Sequence, residues 1–254
     1  MAYTNSPLVS YKRITKHKSI KRDYAITRIT PHIIVGQWTA KQGVDYFATT
    51  SRKVSSNYVV GKDGKIGLSV EEKDRAWTSS SPDNDNRAIT IECANDKTHP
   101  YALTQTTYDT LIKLCIDICK RNGKKKLLWL GSKSKTLSYK PAKDELVLTA
   151  HRWFANTSCP GDWLYSRLEN LASEVSKQLG SPSGMTDVSI MGESVLSAEE
   201  LGAWFTEFEV TPKISLDLQD FIQVYLDEGE VEGVRGDIAF IQSVHETGKF
   251  LFTG

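Results

Sequence analysis

Apolar residues recur with different periods along the chain, and these periods predict its secondary structure. Short apolar or alternating runs predict β-strands near residues 25–36, 57–61, 65–70, 88–93 and 146–151. Longer amphipathic stretches predict helices near residues 41–51, 104–121 and 162–179, the last of which closes with Gly180. Because strands and helices interleave, we expect an α/β domain in which a β-sheet is flanked by helices.

After residue 180 the pattern becomes helical. The turn-forming residues SPSG at 181–184 separate the two patterns. Ser197 followed by Glu200 is the signature of an N-terminal capping box, and two further amphipathic helices follow it. The sequence therefore predicts a first domain over residues 1–180, a linker at 181–184 and a small all-α segment over residues 185–254.

The net charge of +1 conceals an uneven distribution of charge. Residues 185–254 contain 14 acidic and three basic residues, which makes this segment net −11, and the rest of the chain is net +12. A basic first domain could be attracted to anionic polymers. A charged surface that only confers solubility is an equal alternative. The lysine-rich stretch GSKSKTLSYK within the basic part is expected to be an exposed loop.

The chain carries no sequence signal for membrane insertion or export. No run of about 18 apolar residues predicts a transmembrane helix, and the N-terminus has no hydrophobic stretch with a cleavage site. We expect the protein to be made in the cytoplasm without a signal peptide, with neither a membrane nor a nucleic acid as its partner.

The four cysteines do not form a disulfide framework in a chain of 254 residues. Cys115 and Cys119 lie four residues apart in the predicted helix 104–121, on its apolar positions. We therefore expect both to be core residues rather than ligands. Cys93 follows Glu92 on a predicted strand, so these two side chains should point to opposite faces of the sheet.

Two histidines and the remaining cysteine form the pattern with the clearest chemistry. His32 ends the β-rich run AITRITPHIIV, and the apolar run VLTAH delivers His151 eight residues before Cys159. Two imidazoles and one thiolate are good zinc ligands, and three protein ligands leave a fourth position open for water. The spacing alone also allows a second interpretation, in which the histidines are ordinary core or surface residues and Cys159 is a small apolar one.

Several motifs follow one another in a recognisable order. These are ITPHIIVGQWT, SSNYVVGKDGKIGLSV, RAWTSSS, NRAITIECAND and LTAHRWFANTSCPGDWLY, within roughly residues 5–180. Their order resembles that of the zinc-dependent N-acetylmuramoyl-L-alanine amidases, the family of phage endolysins, bacterial autolysins and peptidoglycan recognition proteins. The resemblance implies a mixed sheet flanked by helices and a Zn²⁺ cofactor held by His32, His151 and Cys159. It also implies that zinc-activated water hydrolyses the amide between N-acetylmuramic acid and L-alanine, so that bacterial peptidoglycan is the partner and the cell wall the place of action.

The same resemblance suggests roles for further residues. Some relatives have a tyrosine that is associated with the catalytic base; its position is taken here by Ser56, and Tyr58 lies two residues further on. Relatives without that tyrosine use a glutamate as the base, and Glu92 matches this glutamate. A carboxylate in the otherwise apolar run AITIEC is costly unless it has a partner. Thr157 stands where several relatives have an oxyanion-stabilising lysine, and a hydroxyl donates a hydrogen bond but no charge. The candidates for lining the substrate groove are Asn57, Trp77 and Trp153.

The segments IMGESVLSAEELGAWF and EGVRGDIAFIQSVHETGKFLFTG resemble the start of the bacterial glucosaminidases that cleave peptidoglycan glycan strands. This resemblance implies Glu246 as the acid of a second module. The chain ends eight residues later, and a lone glutamate cannot form the pair of carboxylates usual in glycoside hydrolysis. We therefore expect no glycan cleavage from this segment, and we expect its apolar helix face to pack on the first domain or on a second copy.

Two other functions remain compatible with the sequence. One is a peptidoglycan-binding module without hydrolysis, for which the loss of a zinc ligand would be the discriminating feature, and all three candidate ligands are present. The other is glycan cleavage by the C-terminal module. A structural protein with chance motifs is a third and weaker interpretation.

Overall fold

The chain forms two units, Met1–Pro182 and Ser183–Gly254, each with its own apolar core. The computed structural model describes residues 3–180 and 190–252. The linker predicted at residues 181–184 lies outside the described residues. None of the described helices is long and apolar enough to cross a membrane.

A seven-stranded mixed sheet forms the centre of the first unit. The strands of this unit are β1 (Val9–Lys12), β2 (Lys18–Ser19), β3 (Arg28–Ile33), β4 (Tyr58–Val60), β5 (Ile66–Leu68), β6 (Arg75–Ala76), β7 (Ala88–Cys93), β8 (Lys126–Leu128) and β9 (Glu145–Leu148). Their order across the large sheet is β1-β5-β4-β7-β3-β9-β8, and β2 pairs separately with β6. The strands from β4 to β8 in this order run parallel, whereas β5 is antiparallel to β4. The carboxyl ends of β7, β3 and β9 therefore meet at one edge of the sheet.

Helices cover both faces of this sheet. They are α1 (Ala40–Thr49), α2 (Pro82–Arg87), α3 (Gln105–Arg121), α4 (Lys133–Ser138), α5 (Asp162–Tyr165) and α6 (Leu168–Gly180). Residues of α3 and α6 form the main core on one face, and Val44 and Phe47 of α1 pack against Val59 on the other. The α/β domain predicted from the alternation of strands and helices is thus confirmed.

Side-chain alternation along the central strands separates the core from a polar face. The residues of β3 and β7 that belong to the main core are Ile29, Ile33, Ile89, Ile91 and Cys93. His32 and Glu92 point to the other face, because neighbouring residues of a strand alternate in direction. Cys115 and Cys119 are fully buried in the same main core, as their positions on the predicted helix suggested.

The apolar pattern located five strands and two long helices, and missed several short elements. Five predicted strands correspond to β3, β4, β5, β7 and β9, and the helices near 41–51 and 104–121 correspond to α1 and α3. The helix predicted over 162–179 is in fact two helices, because the chain turns at Ser166 and Arg167 between α5 and α6. The stretch GSKSKTLSYK, expected to be a loop, contains α4, which Ser132 caps at its N-terminus.

The second unit contains α7 (Ala198–Thr206), α8 (Leu218–Glu232) and α9 (Gly236–Glu246). Its core consists of six buried residues: Leu201, Phe205, Ile222, Phe240, Val244 and Phe250. The predicted capping box is present, since the Glu200 amide donates to the Ser197 hydroxyl and the Ser197 amide donates to the Glu200 carboxylate. Val224 and Val231 of α8 are exposed. The packing of this apolar face on the first domain or on a second copy stays a prediction.

Candidate metal centre

The carboxyl ends of three neighbouring strands bring together residues that are far apart in sequence. His32 is the fifth residue of β3, and Glu92, its register partner, is the fifth residue of β7. His151 follows closely on β9, at the start of a short 3-10 helix, His151–Trp153. In open α/β sheets, this edge is where ligands bind. The parallel register thus sets His32 and Glu92 side by side, with His151 from the adjacent strand.

The loop after His151 returns Cys159 to the same edge. The amide of Arg152 donates to the carbonyl oxygen of Cys159 at 3.0 Å, which closes the loop. Gly161 has φ 78°, and a Cβ there would lie 2.9 Å from Tyr101 Cβ and 3.2 Å from Ile33 Cδ1. Glycine is needed at this position both for the left-handed backbone and for the close approach of the loop to β3.

The side chains of His32, His151 and Cys159 converge. Their ligand atoms all lie within 4.8 Å of one another. Cys159 Sγ lies 3.4 Å from His32 Nδ1, and the two imidazole ring centroids are 4.9 Å apart. Among the residues that the structure describes, this is the only such group of three or more potential metal-ligating side chains.

Burial sets the protonation of these three side chains. Burial, and then the neighbouring His151, hold the pKa of His32 well below its usual range, and burial also lowers the pKa of His151. Both imidazoles are therefore neutral at neutral pH and can offer a lone pair. Burial, together with the charge of Glu92, raises the pKa of the Cys159 thiol, so a cation is needed to favour the thiolate.

Two buried atoms of the site have no hydrogen-bond partner. These are His32 Nε2 and Glu92 Oε2. A buried polar atom without a partner costs free energy, and such atoms are rare in folded proteins. Burial raises the pKa of Glu92 to about 8. The site therefore holds an unsatisfied imidazole nitrogen and a carboxyl group that can exchange a proton near neutral pH.

Thr157 and the two alternative base positions lie in different surroundings. The Thr157 hydroxyl accepts a hydrogen bond from the Cys159 amide at 3.2 Å, inside the ligand loop. Tyr58 is buried on the core face and donates its hydroxyl hydrogen to Glu72 at 2.6 Å. The Ser56 hydroxyl is also buried and donates to backbone carbonyl oxygens of Tyr58 and Thr90. Glu92 lies on the face that His32 occupies, whereas Tyr58 lies on the core face.

Of the groove candidates, Trp77 lines an open cavity and Asn57 does not. The cavity has a volume of about 400 Å³, and Lys53, Arg75 and Thr78 are also among its lining residues. Asn57 is fully buried, and its amide is used within the protein, since Nδ2 donates to the Val70 carbonyl and Oδ1 accepts from the Thr90 amide. Asn57 is therefore not on the surface of a groove, because its hydrogen bonds tie β4 to β7.

Trp153, two residues after His151, packs against other aromatic side chains. Its ring stacks on Trp129 with centroids 5.1 Å apart and planes 14° apart. Its Nε1 donates to the Tyr165 hydroxyl at 3.3 Å. Glu246 belongs to the second unit, where it is the exposed last residue of α9.

Arg152, which no motif of the sequence marked as a site residue, braces the loop that carries Cys159. The Arg152 guanidinium donates through Nη2 to the carbonyl oxygen of Ser158 and, at 2.9 Å, to Asp162 Oδ1. It also lies over the Tyr165 ring, 4.5 Å from the centroid. Its position directly after His151 was the available signal, because the residue next to a ligand can share its loop.

Comparison with known proteins identifies one family. Residues 15–162, more than half of the chain, match the family described as N-acetylmuramoyl-L-alanine amidase. Comparison with curated proteins finds no match. The match ends before the second unit begins.

The solved structures that this chain is similar to include three that share 17% sequence identity or less with it. A selenomethionine AmpD derivative shares 17% identity, with 68% of this chain and 99% of that chain covered and a TM-score of 0.49. PlyL shares 14% identity, with 67% and 96% covered and a TM-score of 0.44. The endolysine N-acetylmuramoyl-L-alanine amidase LysCS from Clostridium intestinale URNW shares 15%, with 67% and 96% covered and a TM-score of 0.43. All three are distant, and the family assignment rests on the sequence match.

Proposed function

The chain belongs to the N-acetylmuramoyl-L-alanine amidase family, and on this basis we propose that it hydrolyses the amide between N-acetylmuramic acid and L-alanine with the help of a zinc ion. The observation that carries the proposal is the convergence of the His32, His151 and Cys159 ligand atoms within 4.8 Å. Peptidoglycan is the substrate that this reaction requires.

The residues of the site fit zinc. Two neutral imidazoles and one cysteine form a set of donors that zinc favours. His32 Nε2 is buried and has no hydrogen-bond partner among the described residues, so the protein itself does not satisfy this imidazole. When bound, zinc lowers the pKa of water toward about 7 and polarises a carbonyl group. Three protein ligands leave room for a further one, as in catalytic rather than structural sites.

Glu92 is the proton acceptor in this proposal. Its side chain lies on the same face of the sheet as that of its register partner His32. Its buried Oε2 has no hydrogen-bond partner among the described residues, so this oxygen is available to accept a proton. A carboxyl group whose pKa is about 8 can take a proton from the attacking water and return it to the leaving amine. Tyr58 does not compete for this role, because its side chain lies on the core face and its hydroxyl donates to Glu72.

Thr157 is the candidate donor to the carbonyl oxygen of the substrate. Its oxygen accepts from the Cys159 amide, so the hydroxyl hydrogen can point outward to an acceptor. This arrangement ties the donor to the ligand loop. A neutral hydroxyl stabilises the developing negative charge less than an ammonium group does.

The cavity beside Trp77 is the proposed place for the stem peptide. Two basic residues, Lys53 and Arg75, line this cavity with one acidic residue, Asp85, and the excess of positive charge suits the carboxylates of the peptide. Thr78, which lines the cavity, lies near this part of β7, because its hydroxyl is 2.9 Å from that of the buried Thr90, two residues before Glu92. Trp153 is a second proposed substrate contact, although its ring is engaged by Trp129.

Metal analysis combined with mass spectrometry of digested wall tests the proposal. We expect one zinc per chain and new N-terminal L-alanine ends. His151→Ala should lose both zinc and activity, whereas Glu92→Gln should keep zinc and lose about 100-fold or more in rate, because only the base is removed. His245→Ala and Glu169→Gln, both of exposed residues, are the matched controls and should change neither.

Two outcomes would contradict the proposal. A protein that retains no zinc after careful purification and reconstitution would remove the metal from it. A protein that binds zinc and peptidoglycan but releases no L-alanine ends would be a binding module without hydrolysis. New reducing sugar ends that disappear in Glu246→Gln would instead reveal glycan cleavage by the second unit.

A further inference from the structure

A second cleft lies at the amino ends of the central strands, away from the metal ligands. It has a volume of about 420 Å³. Its walls come from the start of β3, from α2 and from the segment after α4, which contributes Tyr139 and Lys140 of the lysine-rich stretch. The reaction proposed for the metal centre uses none of these residues.

Cations outnumber anions in this cleft. Arg28, Arg87 and Lys140 line it with a single carboxylate, Asp83. Both arginines share that carboxylate, since Arg28 Nη1 lies 3.2 Å from Asp83 Oδ2 and Arg87 Nε lies 3.1 Å from Asp83 Oδ1. Lys140 is exposed and makes no ion pair with any residue that the structure describes. Two of the three positive charges are thus uncompensated.

Arg28 is the cation that most needs a further anion. Its side chain is only 12% exposed, and both of its hydrogen bonds, to Asp83 and Asn84, come from Nη1. Burial lowers the pKa of its guanidinium against the opposing effect of Asp83, and Arg87 lowers it further. Because Arg28 shares its one carboxylate partner with Arg87, an anion from outside would bring the charges of the cleft closer to balance.

The cleft is separate from the metal centre. Arg28 and His32 lie on the same face of β3, four residues and thus about 13 Å apart. Between them lies a closed buried network in which the Thr30 and Thr149 hydroxyls are 2.7 Å apart and Asn84 bonds to both at 3.0 Å. A group bound in the cleft therefore does not reach the metal ligands.

We propose that this cleft binds a phosphate group carried by an anionic polymer of the bacterial wall. Donors from three different elements suit a tetrahedral anion with oxygens in several directions better than a planar carboxylate with two. Arginine forks match phosphate geometry, and lysine adds a mobile point charge. Leu137, Pro141 and Val147 supply an apolar wall for the carbon chain between phosphates. The choice of a wall polymer as the source of phosphate rests on the proposed function.

Calorimetric titration of the whole protein at fixed ionic strength tests the assignment. The probes are a short poly(glycerol phosphate) and inorganic phosphate. Lys140→Gln removes a charge without removing any internal contact, and should weaken polymer binding about three- to tenfold. Arg87→Gln combined with Lys140→Gln should weaken it more. The matched control is Lys133→Gln with Lys135→Gln, which removes the same charge from α4 outside the cleft and should change binding less than twofold.

The outcomes separate this proposal from the amidase proposal. Equal weakening in the control pair would show attraction by net charge alone and overturn the site, as would absence of binding to either probe. Inorganic phosphate that binds as tightly as the polymer would overturn the polymer as ligand. Release of L-alanine ends from soluble wall fragments should be unchanged in Lys140→Gln. The two proposals can therefore fail independently: the polymer can bind to a protein that does not hydrolyse the amide, and the amide can be hydrolysed by a protein that does not bind the polymer.

Discussion

Arg152 shows how one residue can control a site that it does not enter. Its amide and its guanidinium hold the carbonyl oxygens of Cys159 and Ser158, and its charge pairs with Asp162. Asp162 also lies 2.9 Å from His99 Nε2. Arg152 therefore ties the start of the loop that carries Cys159 to the residues around that cysteine, with its backbone amide and with its side chain.

Removing this brace should weaken metal retention. We expect Arg152→Gln to raise the zinc dissociation constant about 10- to 100-fold, because loss of a residue that orients metal ligands typically lowers metal affinity by about this factor. Arg152→Lys should recover only part of the affinity, since lysine lacks the planar fork. Competition with a chromophoric chelator measures the change. Arg167→Gln is the control, because Arg167 also lies over an aromatic ring, that of Trp163, but bonds to no ligand loop carbonyl. An equal effect in the control would contradict the bracing role.

Residue chemistry singled out the candidate ligands more readily than the residues that hold them in place. His32, His151 and Cys159 stand out because few residue types bind zinc, and the structure brings them together. Asn57 was misjudged because an amide has no signature that separates a groove residue from one bonded between strands. Arg152 was missed because its role depends on the path of the loop, which the sequence does not display.

At the scale of elements, Asp237 joins α9 to the segment that precedes α7. Its carboxylate accepts from the amides of Val195, Leu196 and Ile238, and it pairs with Arg235. Burial acts to raise the pKa of Asp237, but the hydrogen bonds from Arg235 and from these backbone amides outweigh it and lower the pKa to about 2.

This carboxylate should make the second unit sensitive to acid. Its pKa is lower in the folded state than in the unfolded state, so its stabilisation is present above about pH 4 and lost as the pH falls toward 2. Asp237→Asn should lower the free energy of unfolding by about 2 kcal/mol at pH 7. Urea denaturation at pH 7 and pH 3 measures it, and the difference from the parent protein should shrink at pH 3. Glu246→Gln changes an exposed residue at the end of α9 and is the control, for which we expect little change in the free energy of unfolding at pH 7. If Asp237→Asn lost the same free energy of unfolding at pH 3 as at pH 7, this prediction would be wrong.

Short elements escaped the sequence pattern for a physical reason. Strands β2 and β6 have two residues each, too few to display a period, and β8 starts directly after Lys124 and Lys125, so its sequence resembles an exposed loop. Helix α2 has the sequence PDNDNR, in which no apolar residue marks a buried face, and Ser81 and Pro82 define its start instead. Longer elements such as α3 and β7 were predicted because their apolar faces repeat over several turns or pleats.

At the scale of the molecule, each unit has a separate apolar core. Tyr58, Leu111 and Leu114 belong to the core of the first unit, and Phe205 and Phe240 to that of the second. The change from interleaved elements to helices, and from basic to acidic composition, was visible in the sequence. The tertiary arrangement of the sheet was not, since its strand order depends on contacts between distant residues.

Separate cores should allow the units to be destabilised separately. Phe240→Ala leaves a cavity among Phe205, Tyr225 and Phe250 and should cost the second unit about 3–5 kcal/mol. Zinc content and amide hydrolysis should be retained. Differential scanning calorimetry should show one transition moved and the other unchanged, and Leu114→Ala in the first unit should give the opposite pattern. Joint movement of both transitions in Phe240→Ala would show that the units unfold together.

The side-by-side placement of His32 and Glu92 has a consequence for how such a chain can change over generations. Their separation is fixed by the pairing of β3 with β7, not by the number of residues between them. Insertions or deletions in the connections between strands therefore leave these two side chains in place, as long as the pairing of the strands is kept. A shift of one residue within either strand would instead turn the side chain of His32 or Glu92 into the core. The loops between the strands can therefore change in length, whereas the number of residues in the paired strands is constrained.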